Sequence, residues 1–496
     1  MSRNVRVLPA AALLLCAPFA QAAPRPWIEV KSPRFTVVSD AGEKSAREVA
    51  WQFEQARAAY GRLWSWGRVR GGKPFLVLAA RDEASLKALA PQYWEDKRNG
   101  TVSASVSGPD RHYLALRLDT NPADDVRATP YFNLYRVYVK SVLDSAFDRP
   151  LPLWLRVGLG EAYANTRVRD KEVMVAMVVP WHINRLREGR RIPLPDLLAA
   201  GGRSPLLAGN EIHLYYAQSW ALVHYLLFAE KGALVPRLNR FVDLVQQGRA
   251  HDAALRESLG DVAALDKGLD SYLFQVALPY ARVAVDVNVR SEAFPVRTLG
   301  PAESAAVRAG FHVAMRRPRE ARALIDEAKA TGPALAAGYE AEALLLDGEE
   351  ADAAALAAYQ KAAELGSSSF YTHYRMAQLL HRTAPPGDKE VFARIAKSLE
   401  RSVDLNPEYA SGHSYLAEVK SYLGDSERAL VMARTALALE PGGSYHHSAL
   451  ANVLLDLGKP EEAMEAARRA LALADEDWER RNAEKTIEEI RGKSPR

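Results

Sequence analysis

The residues best placed to do chemistry lie between positions 131 and 163. Arg136 and Lys140 stand four apart in YFNLYRVYVKSVLDSA, a run with apolar residues at helical spacing. Both therefore project from one face of one helix. Pro150 and Pro152 cannot continue that helix, and a second short helix starts with Trp154 and Leu155 and carries Glu161. Two cations and an acid on neighbouring helices can brace them through a salt bridge, hold an anion in a cleft, or stay solvated. They cannot bind zinc through Arg or Lys, which carry no acceptor lone pair at neutral pH.

The histidines offer little more. His213 and His224 are eleven residues apart on one helical run, about 16 Å along the axis, so one metal cannot bridge them. His224 reads as a packed helix residue. His446 and His447 point in different directions on a helix. His373, His413 and His447 fall at or near matching positions of a repeat, where they either line its groove or fill its core. No G-x-S-x-G, Gly-rich phosphate loop or usable carboxylate pair stands out.

The stretch around Arg136 resembles the core of gluzincin-type zinc peptidases, in particular the bacterial peptidase-MA-like group, whose members read roughly YHEYVHSVL, a linker, then LPxWLNEGLAEY. The framing residues match at Tyr135, Tyr138, Val139, Ser141, Val142 and Leu143, and again at Leu151, Pro152, Trp154, Leu155, Gly158, Leu159 and Glu161. In that family an H-E-x-x-H helix supplies two zinc ligands and the general base, and a Glu on the second helix supplies a third ligand. The resemblance places Arg136 and Lys140 at the two His positions, Val137 at the base, and Val157, seventeen residues after Lys140, at the third ligand. None of the four is a donor. Glu161 is the one acid of the motif retained. The resemblance continues through GTVSASVSGPDRHYLALRLD upstream and YYAQSWALVH downstream and covers roughly residues 25–280. It implies a gluzincin-like fold without catalytic residues, metal or cofactor.

The chain has 496 residues, 48% apolar and 25% charged, an ordinary globular balance spread over more than one domain. Its formal charge of +4 falls to +2 once Arg3 and Arg6 are set aside, too weak to argue for nucleic acid or an anionic membrane. Residues 1–22 read as a signal peptide, with Arg3 and Arg6 before an apolar run and a cleavage site near Ala22. The single cysteine, Cys16, lies inside it, after a Leu15 too bulky for ordinary lipoprotein processing. The expectation is a periplasmic or secreted product with neither disulfide nor transmembrane segment in the mature chain.

The reading gives an α/β subdomain at 23–125, a helical subdomain with the degenerate site at 126–285, and a strand-like linker at 286–300. Five divergent tetratricopeptide repeats follow at 301–490. Strands are expected within 27–40, at 75–79, and as a pair within 101–108 and 112–118. Small residues recur at period 34: Ala309, Ala343, Ala377, then Ala417 after six inserted residues, and Ala451. A second set follows at Ala328, Ala362, Ser402, Ala436 and Ala470. This is the tetratricopeptide spacing, in which small residues let paired helices approach and each pair buries a face on the next. The fold class expected is an α+β gluzincin-like domain followed by an all-α solenoid. The function expected is a non-catalytic scaffold in the cell envelope that takes a protein or peptide partner in the repeat groove. Two alternatives stand beside it: a zinc hydrolase with non-standard ligands, and a cleft binding an anionic ligand through Arg136 and Lys140.

Overall fold

The computed structural model describes residues 25–64, 72–95, 100–120, 129–169, 172–285, 291–385, 387–474 and 476–493. The leader, with Cys16 and the cleavage site near Ala22, lies outside them. Ile28–Lys31 (β1) and Phe35–Ser39 (β2) form the hairpin that the alternation around Pro33 announces, with Val30 opposite Val37. Phe75–Ala80 (β3) is apolar throughout, buried at every position, and parallel to β2, as a strand covered on both faces must be. Ser103–Ser107 (β4) and His112–Arg117 (β5) pair antiparallel across the Gly108-Pro109-Asp110 turn, and β5 runs parallel to β3.

Helix Glu43–Leu63 (α1) packs on this sheet, and Glu83–Leu89 (α2) is N-capped by Asp82, which accepts from the Ser85 N–H at 2.9 Å. The helical subdomain begins with Tyr131–Ala146 (α3) and Leu153–Ala164 (α4), parted by the two prolines. Arg167–Arg169 (β6) and Glu172–Val175 (β7) follow, then Pro180–Glu188 (α5), Leu194–Ala199 (α6), Glu211–Phe228 (α7), Val235–Gln246 (α8), His251–Ser258 (α9) and Val262–Leu273 (α10). Ala281–Ala284 (β8) returns to complete a small antiparallel sheet with β7 and β6. The two subdomains share one core. Rings of Phe35, Phe53, Phe75, Tyr60, Tyr135 and Tyr138 stand 5.0 to 6.3 Å apart between the sheet, α1 and α3.

Of the expected linker 286–300, residues 291–300 are described, and they are held rather than free. Val296–Thr298 (β9) pairs antiparallel with β1, and the Leu299 N–H donates to the Trp27 carbonyl at 2.8 Å. The unpaired edge of β1 offered a row of backbone groups, and this segment satisfies them. Among the described residues the main sheet thus has the order β4-β5-β3-β2-β1-β9.

The repeats are helical hairpins: Pro301–Ala314 (α11) with Pro318–Thr331 (α12), Ala336–Gly348 (α13) with Asp352–Glu364 (α14), Phe370–Thr383 (α15) with Lys389–Leu405 (α16), Ala410–Tyr422 (α17) with Ser426–Leu439 (α18), and Ser444–Asp456 (α19) with Pro460–Leu473 (α20). Asp477–Lys493 (α21) covers the last pair. All ten small residues of the two period-34 sets have no solvent exposure, because each sits where two helices touch. Ser402, the one polar member, donates its hydroxyl to the Phe370 carbonyl at 2.9 Å. Of the repeat histidines, His373 and His413 are buried and His447 is half-buried, and all three also tie backbone. Nε2 of His373, His413 and His447 donates to the carbonyl six residues earlier, at Ser367, Pro407 and Pro441 respectively. Tyr339 makes the same link to Pro333. Each ties the start of a repeat to the loop before it.

The array folds against the α/β part. Phe311 of α11 is buried among Val38, Leu76, Leu78 and Tyr113. Further along, Asn406 donates to the Gly72 carbonyl at 2.9 Å, Arg34 pairs with Glu408 at 2.7 Å, and Gly442 lies against the carbonyls of Phe147 and Asp148. None of the described helices is long and apolar enough to cross a membrane.

One contact sets the approach of α4 to α7. A methyl group at Gly158 would lie 2.3 Å from the Ser219 carbonyl oxygen and 2.4 Å from Val223 Cγ2. We expect Gly158→Ala to force the helices apart and lower stability by about 1–3 kcal/mol, measured by chemical unfolding. An unchanged midpoint would show that this close approach is dispensable.

Candidate functional site

The site is built from α3, α4 and α5. From Gly158 to Ala164 every residue of α4 is buried, so Glu161, on the side away from Leu155 and Leu159, is buried too, with only 2% of it exposed. An isolated carboxylate would not survive there. Arg136 of α3 places Nη1 2.8 Å from Oε1, and His182 of α5 places Nε2 2.9 Å from Oε2. Both oxygens are thereby answered, from two different helices. The Arg136 guanidinium also lies 5.9 Å over the Tyr216 ring. A methyl at Gly160 would sit in ordinary van der Waals contact with Arg136 Cγ, at 3.5 Å.

The other positions do not converge on this point. Lys140 is exposed and pairs with Asp144 one turn on, at 2.7 Å, while Arg156 reaches the same carboxylate at 3.4 Å. Val137 and Val157 are half-buried and pack on the core. Arg136 and Lys140, expected to share one face, therefore serve different acids: Arg136 leans toward α4 and Lys140 toward solvent. Among the described residues no group of three or more His, Cys, Asp or Glu is arranged to hold a metal.

The sequence reading missed His182. It follows Pro180-Trp181, and Pro180 starts α5, so no spacing within 131–163 could point to it. It also missed His112, half-buried and stacked on Phe75, with Nε2 3.1 Å from Ser141 Oγ and Nδ1 3.1 Å from Ser107 Oγ. This link ties β5 to α3. Burial, with the nearby charges of Lys73 and Lys140, pushes the His112 imidazole down to about 4.

The electrostatics fit a brace. Burial alone would raise the Glu161 carboxyl. The His182 hydrogen bond and the Arg136 charge outweigh it and hold the carboxyl below its usual range. His224 is buried in α7, with Nδ1 2.8 Å from the Tyr272 hydroxyl and Nε2 3.0 Å from the Ala176 carbonyl. Burial pushes its imidazole down to about 4. Between the α/β part and the first repeats lies a separate cavity of about 560 Å3, whose walls include Arg34, Phe75, Tyr138, Ser141, Glu340 and Tyr371.

No family model matches this chain, and no curated protein matches it significantly. Solved structures that match part of the chain include two described as TPR proteins, and MamA. YrrB, described as a TPR protein with an unusual peptide-binding site, is 17% identical and overlaps 37% of this chain and 92% of its own, with a TM-score of 0.32. TTC0263, a thermophilic TPR protein in Thermus thermophilus, is 21% identical over 38% of this chain and 98% of its own, with a TM-score of 0.29. MamA is 15% identical over 35% and 93%, with a TM-score of 0.29. At this level of likeness the repeat fold rests on the helix pairing itself.

Two outcomes follow from the site. Arg136→Ala leaves Glu161 buried with one partner and should cost about 3 kcal/mol, whereas Lys140→Ala, which breaks an exposed pair, should cost under about 0.5 kcal/mol. Equal losses in urea unfolding would remove Arg136 from its bracing role. The second outcome concerns acid. His224 has an ordinary value of 6.5 and a folded value of about 4, so the unfolded chain takes up its proton first. Its contribution is full above pH 6.5 and is lost as the pH falls toward 4. The Glu161 contribution is lost only lower, as pH falls through its depressed value. Melting temperature should therefore decline from pH 6.5 to 4, and His224→Gln should flatten that slope; an unchanged slope would assign the decline elsewhere.

Proposed function

We propose that this chain is an exported, non-catalytic relative of zinc peptidases whose repeats hold a protein or peptide partner in the cell envelope. The observation that carries the non-catalytic half is the state of Glu161. Both of its oxygens are taken by Arg136 and His182, so the acid kept from the peptidase motif is spent on joining three helices. Val137 and Val157 supply no base and no ligand at the positions that the family uses. The binding half rests on the repeat architecture, whose stacked hairpins form an extended face suited to a peptide or a partner helix.

The two other readings are weaker on the same geometry. A zinc hydrolase with non-standard ligands would need donors gathered near α3 and α4, and Glu161 and His182 are already committed to each other. An anion held by Arg136 and Lys140 would have to displace Glu161 from one and Asp144 from the other.

The test combines metal content with mapping. Purified chain should carry well under one zinc per molecule, and a chelator should leave its melting temperature unchanged. A photo-crosslinking residue at Gln378 or Asn452, on the repeat helices, should trap a protein partner in envelope extracts, while one at Lys140 should not. Stoichiometric zinc, or adducts formed only from position 140, would overturn the proposal.

A further inference from the structure

Gly310, Leu344, Gln378, Glu418 and Asn452 occupy one position of successive repeats, spaced by 34 residues apart from the six-residue insertion. They make one longitudinal row on the array. The first two face the chain's own α/β domain. A methyl at Gly310 would meet the Tyr113 hydroxyl at 2.7 Å, and Leu344 lines the cavity between the two parts. The other three lie beyond that cavity and are only half-buried.

Near these three, tyrosine rings pack beneath the face, with Tyr374 and Tyr415 buried and Tyr445 half-buried, and the face carries an acid with no cation beside it. Tyr445 donates its hydroxyl to Glu418 Oε2 at 2.6 Å, and Asn452 Nδ2 lies 3.5 Å from Oε1. The rings of Tyr371, Tyr374 and Tyr415 follow one another at 6.1 Å, and Tyr445 stands 6.4 Å from Trp478, which is half exposed. Gln378 donates to the Tyr374 hydroxyl at 2.9 Å. Among the described residues Glu418 has no ion-pair partner. The cations nearby are engaged elsewhere, Arg375 with Asp347 and Lys420 with Glu400. His446 is the titratable base within reach, and its ring is held by Ser414 at 2.8 Å and Glu440 at 3.3 Å.

Burial raises the Glu418 carboxyl, which means that its charge is poorly solvated where it stands. A partly desolvated carboxylate beside the half-buried Tyr445 ring is the complement of an organic cation, which gains the charge and that ring, while Tyr374 and Tyr415 are buried behind it. Resting on the proposed function, we infer that the Glu418 position, beside Tyr445 and backed by Tyr374 and Tyr415, receives a lysine or arginine side chain of the partner peptide, within a binding stretch confined to the last three repeats.

Glu418→Gln tests this, because the amide keeps an acceptor for Tyr445 and removes only the charge. Random twelve-residue peptides displayed on phage would be selected on the full chain. Binders should carry a lysine or arginine, weaken with added salt, and lose at least tenfold in affinity on the Glu418→Gln chain. Replacing that basic residue by norleucine should cost a similar factor on the native chain and little more on the variant. Binders without a basic residue, or with equal affinity for the two chains, would overturn this inference and leave the proposed function standing. A failure to select any binder would overturn both.

Discussion

A carboxylate removed from water has to be answered by donors, and the N-terminal part of this molecule is arranged around one such answer. Glu161 draws Arg136 from α3 and His182 from α5 onto a single point of α4. The cost of leaving any one of these groups alone exceeds that of any exposed pair in the domain, so three helices that share no strand are fixed relative to one another. The surrounding packing agrees with that constraint. Gly158, next to Leu159, gives up its side chain so that α7 can come close. Trp154 and Trp220, both fully buried, fill the space on the other faces.

The repeats obey a constraint of a different kind, one of shape. Two helices can lie in contact along their length only where neither carries a bulky side chain, and the fully buried alanines at period 34 mark those lines of contact. Once the hairpins stack, they come to rest on the N-terminal part, on the α/β subdomain through Phe311, Gly310 and Asn406 and on the end of α3 through Gly442. The domain then covers part of the surface of the array.

How much of this was legible in the sequence depended on how local each signal was. The hairpin at β1–β2, the apolar β3, the β4–β5 pair and the repeat frame were all readable, because alternation and a fixed period are written into contiguous residues. The helix pair α3–α4 was readable because two prolines stand between its members. His182 was not, since its role comes from a partner on another helix and no spacing rule connects it to Glu161. Of β9 the strand-like character was legible and the pairing was not: Val296–Thr298 is three residues long, and Arg297 meets its partner Glu29 across 268 residues of chain. The histidines of the repeats were recognised as periodic, yet their purpose lay in a carbonyl six residues earlier, a contact that periodicity of side chains does not reveal.

The same chain treats two half-hidden or hidden acids in opposite ways, and the difference bears on function. Glu161 lies in a core that nothing outside can enter, so its charge must be met from within, and it is met twice. Glu418 lies on a face that solvent reaches, and it is given hydrogen-bonding neighbours but no cation. An internal cation there would have neutralised the spot at little cost, and lysines and arginines are plentiful on the neighbouring helices, where they pair with other acids. A charge met internally holds a fold together; a charge left open on the surface adds little to the fold and is available to something that arrives from outside.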